Sequence, residues 1–97
     1  YFRNGASDPV DGEFYIGSAD WMYRNLHGRV EIVAPVEPRP LREKCWELLN
    51  LLWNDQRQAW DLKSDGTYVQ RRPANPESEP GAHHQIMTLT RQRCALA

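Results

Sequence analysis

The stretch that decides the fold is residues 15–31, which read YIGSADWMYRNLHGRVE. An apolar run at residues 14–16 predicts a strand, and Gly17-Ser18 ends it. Polar and apolar residues alternate again over residues 29–34, a pattern typical of a second strand. The chain therefore predicts a strand, a tight turn, a short helix and a further strand. A turn at a strand end presents backbone N–H groups to an anionic group above it.

The residues between the two strands favour a short helix. Ser18 is a residue type that caps helix N-termini. Asp20 would lie in the first turn, where a negative charge suits the helix dipole. We expect the helix to cover residues 19–26 and to end at Gly28 in a left-handed conformation.

The longest helix is predicted over residues 39–54, after Pro38-Arg39-Pro40. Pro40 suits the first turn, where a missing N–H costs nothing. An apolar stripe repeats at helical spacing. It consists of Leu41, Cys45, Leu48, Leu49 and Leu52.

Turn residues divide the rest of the chain. Residues 3–13 are predicted to form a loop containing Asn4-Gly5, between the neighbouring strands 1–2 and 14–16. Residues 58–62 and 67–70 flank Ser64-Asp65-Gly66 and predict a β-hairpin whose apolar contacts come from its aromatic and aliphatic side chains. Residues 73–81 are rich in proline and predict a loop. Residues 83–96 predict a terminal helix.

The central stretch resembles the signature near the C-terminus of bacterial polyphosphate kinases. In that family a strand ending in IGSADWM leads into RNL and then RVE, and the same motifs stand here between residues 16 and 31. The resemblance continues downstream with PV at 35–36, ND at 54–55, AWxL at 59–62 and DGxY at 65–68. It covers residues 1–72 closely and the tail, residues 73–97, loosely. Tyr23 replaces a common proline, and His27-Gly28 replaces a common acidic-basic pair.

The resemblance implies the fold class. The catalytic half of polyphosphate kinases is built from two domains related to the phospholipase D superfamily, and Gly17-Ser18-x-Asp20 resembles that superfamily's Gly-Ser-x-Asn element. We expect an α/β fold, with a small mixed or antiparallel sheet and a long helix packed on it, as part of a phospholipase D-like domain. Residues 1–97 would form the C-terminal part of that domain, and 73–97 a tail with a terminal helix.

Length and composition set further bounds. The chain has 97 residues, of which 40% are hydrophobic, enough for one small domain with a modest core. Because it begins at Tyr1 and not at methionine, we expect a C-terminal fragment of a longer protein. The net charge of −1 argues against a general nucleic-acid binder. Neither Cys45 nor Cys94 lies at a spacing typical of metal ligands. The sequence contains no run of about 18 apolar residues, so we expect no membrane span.

The family implies a reaction and its requirements. Polyphosphate kinases transfer the terminal phosphate of ATP reversibly to polyphosphate, through a phosphohistidine and with magnesium. The nucleophilic histidine lies in the preceding domain, and the second in an EHSR-type motif expected just upstream of Tyr1. His27, His83 and His84 match neither motif and are expected to be exposed. We therefore expect no catalytic residue and no metal ligand in this chain, and no activity from it alone.

The residues expected to face phosphate, or to support those that do, are Ser18, Asp20, Arg24, Asn25 and Arg29. Arginine suits phosphate because its planar guanidinium donates two parallel hydrogen bonds. The structural alternatives are that Ser18 only caps the helix and that Asp20 and Arg24 form a surface pair. Glu31 is expected to pair with an arginine.

Two further features have structural alternatives. The tryptophans suggest base stacking, but core packing is favoured for all four. They are Trp21, Trp46, Trp53 and Trp60. Arg71-Arg72 would lie along a polyphosphate path or at a solvated hairpin end, and the latter is favoured.

The implied ligands are ATP or ADP, polyphosphate and Mg²⁺, all in the full-length enzyme. The implied partners are the upstream domains of the same chain and a second copy of the enzyme, with no nucleic acid. We expect a cytoplasmic location, with membrane association as the alternative. Two other functions stay open: a non-catalytic interdomain, oligomerisation or polyanion-binding module, and a phospholipase D-type phosphodiesterase fragment. The latter would need an HxKxxxxD motif, which is absent from the sequence.

Overall fold

The computed structural model describes residues 1–96. The chain divides into two units, Tyr1–Trp46 and Glu47–Ala97. The first contains β1 (Tyr15–Gly17), α1 (Tyr23–His27), β2 (Val33–Pro35) and the start of α2 (Arg39–Trp53). The second contains the end of α2, β3 (Trp60–Leu62), β4 (Tyr68–Gln70) and α3 (Ala82–Leu96). The fold is a small mixed α/β arrangement with two antiparallel two-stranded sheets. The predicted α/β class and the small antiparallel strand pairing are confirmed.

In the first unit, β1 and β2 pair antiparallel, with Ile16 opposite Ala34 and Gly17 opposite Val33. The ladder extends by one bond beyond the strands, from the Ser18 N–H to the Ile32 carbonyl at 3.2 Å. β2 is shorter than the predicted 29–34 because β1 has ended, so residues 29–31 have no strand to pair with.

A small aromatic cluster packs the first unit. Phe14 is 4% exposed, and its ring lies 4.7 Å from that of Tyr1. The Tyr1 ring in turn lies 5.2 Å from Trp46, which brings the first half of α2 against this cluster. Phe2 pairs with Glu13 through two backbone hydrogen bonds of 2.9 and 2.8 Å. The two neighbouring strands predicted at residues 1–2 and 14–16 are thus represented by a single antiparallel β-bridge between Phe2 and Glu13.

The N-terminal end of α2 is held by charge. Arg39 donates to Asp8 at 2.8 Å and to Asp11 at 2.5 Å, and it pairs with Glu43 one helical turn later. The Asp8 carboxylate also accepts from the Val10 N–H, and that bond and Arg39 lower the pKa of Asp8. These exposed pairs fix the loop before β1 to the start of the helix.

The second unit contains the predicted hairpin. β3 and β4 pair antiparallel, with Asp61 opposite Val69. The loop closes with Gly66 at φ +85, a conformation that glycine adopts without strain. Asp65 accepts from the Thr67 N–H at 2.9 Å. The prediction of a three-residue turn at Ser64-Asp65-Gly66 is confirmed.

Buried Asp55 connects three parts of the second unit. Its side chain is 5% exposed and accepts from the N–H groups of Arg57 at 2.7 Å, Gln58 at 2.9 Å and Ala82 at 3.1 Å. Burial acts to raise the pKa of this carboxyl, but the three N–H groups outweigh it and hold the pKa below its usual range. Asp55 therefore acts as a distant cap for α3.

Three of the four tryptophans are not core residues. Trp46 is half-buried, whereas Trp21, Trp53 and Trp60 are exposed. The leucines of the α2 stripe and the apolar side chains of the hairpin are also exposed. The predictions that these residues form a core and that the long helix packs on a sheet are wrong, because within neither unit does a helix of the described residues pack on the sheet to cover them. Within residues 1–96, no helix has the length and hydropathy needed to cross a membrane.

Candidate phosphate-facing site

The candidate site begins at the end of β1 with Ser18. The hydroxyl of Ser18 donates to the Glu31 carboxylate, and its N–H donates to Ile32 on the opposite strand. Ser18 is not the N-cap of α1, contrary to the prediction. That position belongs to Met22, which is extended at φ −74 and ψ 146 and makes no side-chain cap bond.

Asp20 and Asn25 form the centre of the turn. The Asp20 carboxylate accepts from the Met22 N–H at 2.9 Å and from the Asn25 side-chain amide. Asn25 is 7% exposed and is the one buried residue of α1. Because Asp20 holds the chain in a turn before Met22, α1 begins at Tyr23 rather than at residue 19. Asp20 is a brace for the turn and does not lie in the first helical turn.

The two arginines of the candidate site are free of partners. Arg24 and Arg29 are exposed, and within residues 1–96 neither side chain makes an ion pair or a hydrogen bond. The alternative in which Asp20 and Arg24 form a surface pair is therefore wrong, since Asp20 is occupied by Met22 and Asn25. Two unpaired guanidinium groups on one short segment can bind an anionic ligand by donating hydrogen bonds to it.

Gly28 closes α1 without a left-handed conformation. Its φ is −121, and its N–H donates to the Arg24 carbonyl at 3.1 Å. The predicted left-handed cap is wrong because the helix has one turn, which an ordinary backbone can finish. His27 is exposed and stacks on the Tyr23 ring at 4.3 Å, as expected of a surface residue at a helix end.

The other histidines lie at the start of α3. His83 and His84 are exposed, and His83 Nδ1 lies 3.3 Å from the Gln58 side-chain oxygen. Within residues 1–96, no three His, Cys, Asp or Glu side chains approach closely enough to hold a metal ion.

Arg71 has a structural role. Its guanidinium forms a bidentate pair with Asp61, at 2.8 and 3.1 Å to one carboxylate oxygen, and donates to the Trp53 carbonyl at 2.5 Å. The hydrogen bond from Arg71 lowers the pKa of Asp61. Arg71 thus joins the hairpin to the end of α2 and is not available to an external anion. The favoured alternative of a solvated hairpin end fails for Arg71 for the same reason, whereas Arg72 is exposed as that alternative expects.

Glu31 is the site residue that the sequence interpretation placed wrongly. It was expected to pair with an arginine, but it accepts from Ser18. The strand register could have found this contact. With Gly17 opposite Val33 and Ser18 opposite Ile32, residue 31 lies across from the start of the turn. The sequence predicted that β2 begins at residue 29 rather than at Val33, and it did not give the register.

Comparisons with known proteins show the family to which the chain belongs. Residues 1–82 match the family model described as polyphosphate kinase C-terminal domain 2. The chain therefore belongs to this family. It is similar to polyphosphate kinases from several bacteria.

The polyphosphate kinase of Synechocystis is 57% identical over 77 residues, which cover 79% of this chain and 10% of that protein. The polyphosphate kinase of Thermosynechococcus vestitus is 47% identical over 90 residues, covering 93% of this chain and 12% of the relative. That of Pseudomonas aeruginosa is 40% identical over 78 residues, covering 80% and 11%. The chain thus spans about a tenth of the length of the curated relatives it matches. No solved structure matches the chain.

Proposed function

We propose that this chain is the C-terminal portion of a polyphosphate kinase that transfers the terminal phosphate of ATP reversibly to polyphosphate. The observation that carries the proposal is the family match over residues 1–82. The reaction proceeds through a phosphohistidine, and the histidines that carry it lie upstream of Tyr1. The chain alone is therefore inactive. The exposed surface positions of His27, His83 and His84 support this assignment.

The wider fold is proposed to be phospholipase D-like. The β1–β2 pair and the turn after β1 would form a small part of that fold. The remaining strands would belong to the rest of the enzyme. ATP binds in the full-length protein. Magnesium is expected there as well, and we expect this chain to supply no ligand to it.

Within that enzyme, we assign the phosphate-facing role to Arg24 and Arg29. Their guanidinium groups are exposed and unpaired in the part of the chain that the structure describes, so binding phosphate would not require breaking an existing ion pair. Ser18, Asp20 and Asn25 support the site by fixing the turn from which α1 starts. Polyphosphate is a long anion, and its binding to such a site should weaken with salt.

The test uses the full-length enzyme with Arg24→Gln and Arg29→Gln. Each change should raise the KM for polyphosphate by about tenfold, as expected for losing a hydrogen bond to a charged group worth about 1.5 kcal/mol. The shift should shrink as the ionic strength rises from about 10 mM to about 150 mM. Arg91→Gln, at an exposed position on α3, is the matched control and should leave KM unchanged.

An equal effect from Arg91→Gln would show that only overall charge matters and would contradict the assignment to α1. If the wild-type full-length enzyme made no polyphosphate, that result would contradict the proposed function itself.

A second role, in interdomain contact, is favoured by the exposed apolar side chains around α1. Trp21 is 92% exposed and Val30 is 98% exposed, and Tyr23 and Ile32 are exposed as well. Soluble proteins do not usually leave such a series of large apolar residues in water. We propose that the rest of the enzyme covers these residues. This role accompanies the catalytic one, in which the same segment carries Arg24 and Arg29.

A further inference from the structure

His27 lies between the two arginines assigned to phosphate, and a neighbouring side chain orients its ring. The imidazole stacks on the Tyr23 ring, with the ring centroids 4.3 Å apart and an angle of 24° between the ring planes. His27 and Arg24 are three residues apart on α1, so their side chains leave the helix on the same side. Arg29 follows His27 by two residues. Residues 24–29 therefore present basic side chains at three positions.

The acidic side chains around α1 are engaged elsewhere. Asp20 accepts from two N–H donors of the turn, and Glu31 accepts a hydroxyl proton at the end of β1. Within residues 1–96, His27 forms no ion pair, and no other helix or strand packs on α1. The unpaired charged groups next to the imidazole in the chain are thus Arg24 and Arg29.

An imidazole ring suits a phosphate ligand in both of its protonation states. The neutral ring donates one N–H, and the protonated ring donates two and carries a positive charge. Hydrogen bonds between ionised groups are the stronger ones, so the protonated ring binds an ionised phosphate more tightly. Histidine is the side chain that ordinarily changes its charge between about pH 5 and about pH 8. A phosphate ligand beside His27 would therefore be held more tightly as the pH falls.

We propose that His27 is a third polyphosphate contact, oriented by Tyr23, and that it makes the affinity for polyphosphate rise as the pH falls. The inference rests on the proposed function, in which Arg24 and Arg29 contact the phosphates. Polyphosphate is ionised along its whole length, so neighbouring basic side chains can contact successive phosphates. The stack on Tyr23 reduces the freedom that the imidazole loses on binding, which favours the contact.

The experiment measures the Kd of long-chain polyphosphate for the full-length enzyme, without nucleotide, at about pH 8 and about pH 6. His27→Gln should match wild type within about twofold at the higher pH and bind about fivefold more weakly at the lower pH, because it cannot gain a proton. His27→Lys is charged at both pH values and should bind about fivefold more tightly than wild type at the higher pH. Tyr23→Ala should weaken binding about threefold at the lower pH, whereas Tyr23→Phe keeps the stack and should match wild type.

His84→Gln is the matched control, because His84 is also an exposed histidine and forms no ion pair within the described residues. It should leave the Kd unchanged at both pH values. The proposal is overturned if His27→Gln has no effect, if it weakens binding equally at both pH values, or if His84→Gln acts in the same way. It is also overturned if His27→Lys does not tighten binding at the higher pH.

Far-UV circular dichroism checks that each variant folds. If His27→Gln fails this check, His27→Lys decides alone, since tighter binding at the higher pH supports the proposal and unchanged binding overturns it. A wild-type enzyme that binds no polyphosphate at either pH would instead contradict the proposed function. Normal binding by His27→Gln beside weakened binding by Arg24→Gln would overturn this inference and leave the proposed function standing.

Discussion

At the scale of single residues, the buried carboxylate of Asp55 has the largest structural effect. Its three N–H donors come from the loop after α2 and from the start of α3. Asp55→Asn would place an amide NH₂ against at least one of these N–H groups and remove the charge. We expect a loss of about 2 kcal/mol in the free energy of unfolding, measured by urea denaturation. Glu77→Gln, at an exposed position, should be neutral, and an equal loss there would contradict the assignment to Asp55.

The pH dependence of stability follows from the same group. The folded pKa of Asp55 lies below its unfolded value, so its contribution is fully present above the unfolded pKa of about 3.9 and is lost as the pH falls through the folded pKa. The urea midpoints of wild type and Asp55→Asn should therefore converge as the pH is lowered from about 6 to about 3. A difference that stays constant over this range would show that Asp55 stabilises the fold only by shape.

At the scale of elements, the close approach of β1 and β2 depends on Gly17. A Cβ at this position would lie 2.8 Å from the Ile32 carbonyl oxygen and 3.0 Å from a Val33 methyl group. Gly17→Ala should force the strands apart and lower the free energy of unfolding by about 1–3 kcal/mol. Gly28→Ala is the matched control, since its Cβ would meet only the Arg24 carbonyl at 3.4 Å. Equal losses from both substitutions would exclude the strand contact as the cause.

The sequence predicted the long elements and the hairpin well, and the short elements poorly. α2 and α3 begin and end within a residue of their predicted positions, because their periodicity extends over several turns. α1 has one turn, and its start depends on which backbone N–H group Asp20 binds. Residue types do not show which of these local hydrogen bonds forms. The start of β2 depends on where its partner β1 ends, because Gly17 pairs with Val33.

The candidate site follows the same rule. Residue types together with the family resemblance select Ser18, Asp20, Arg24, Asn25 and Arg29, and their role toward phosphate stays a prediction. Their partners were not predictable, because Glu31 reaches Ser18 only through the strand register and Asn25 reaches Asp20 only once α1 starts late. Burial failed most widely. Apolar patterning shows which side chains prefer to leave water, but it does not show which element covers them, and within neither unit does a helix of the described residues pack on the sheet.

At the scale of the whole molecule, the exposed apolar side chains can be tested by comparing the 97-residue chain with the full-length enzyme. Val30 is 98% exposed, so Val30→Asp should change the free energy of unfolding of the 97-residue chain by no more than about 0.5 kcal/mol. In the full-length enzyme the same change would bury a charge and should lower the melting temperature clearly. An unchanged melting temperature in the enzyme would mean that Val30 stays in water there, contrary to the proposed contact.

The attachment of α3 has a consequence for how the end of this protein can vary. Asp55 binds the backbone N–H of residue 82, a group that every amino acid except proline provides. The match to the family model ends at that residue. Any tail that begins a helix at this position would be held equally well, whatever its side chains. The side chains of the segment beyond it can therefore change while the point of attachment stays the same.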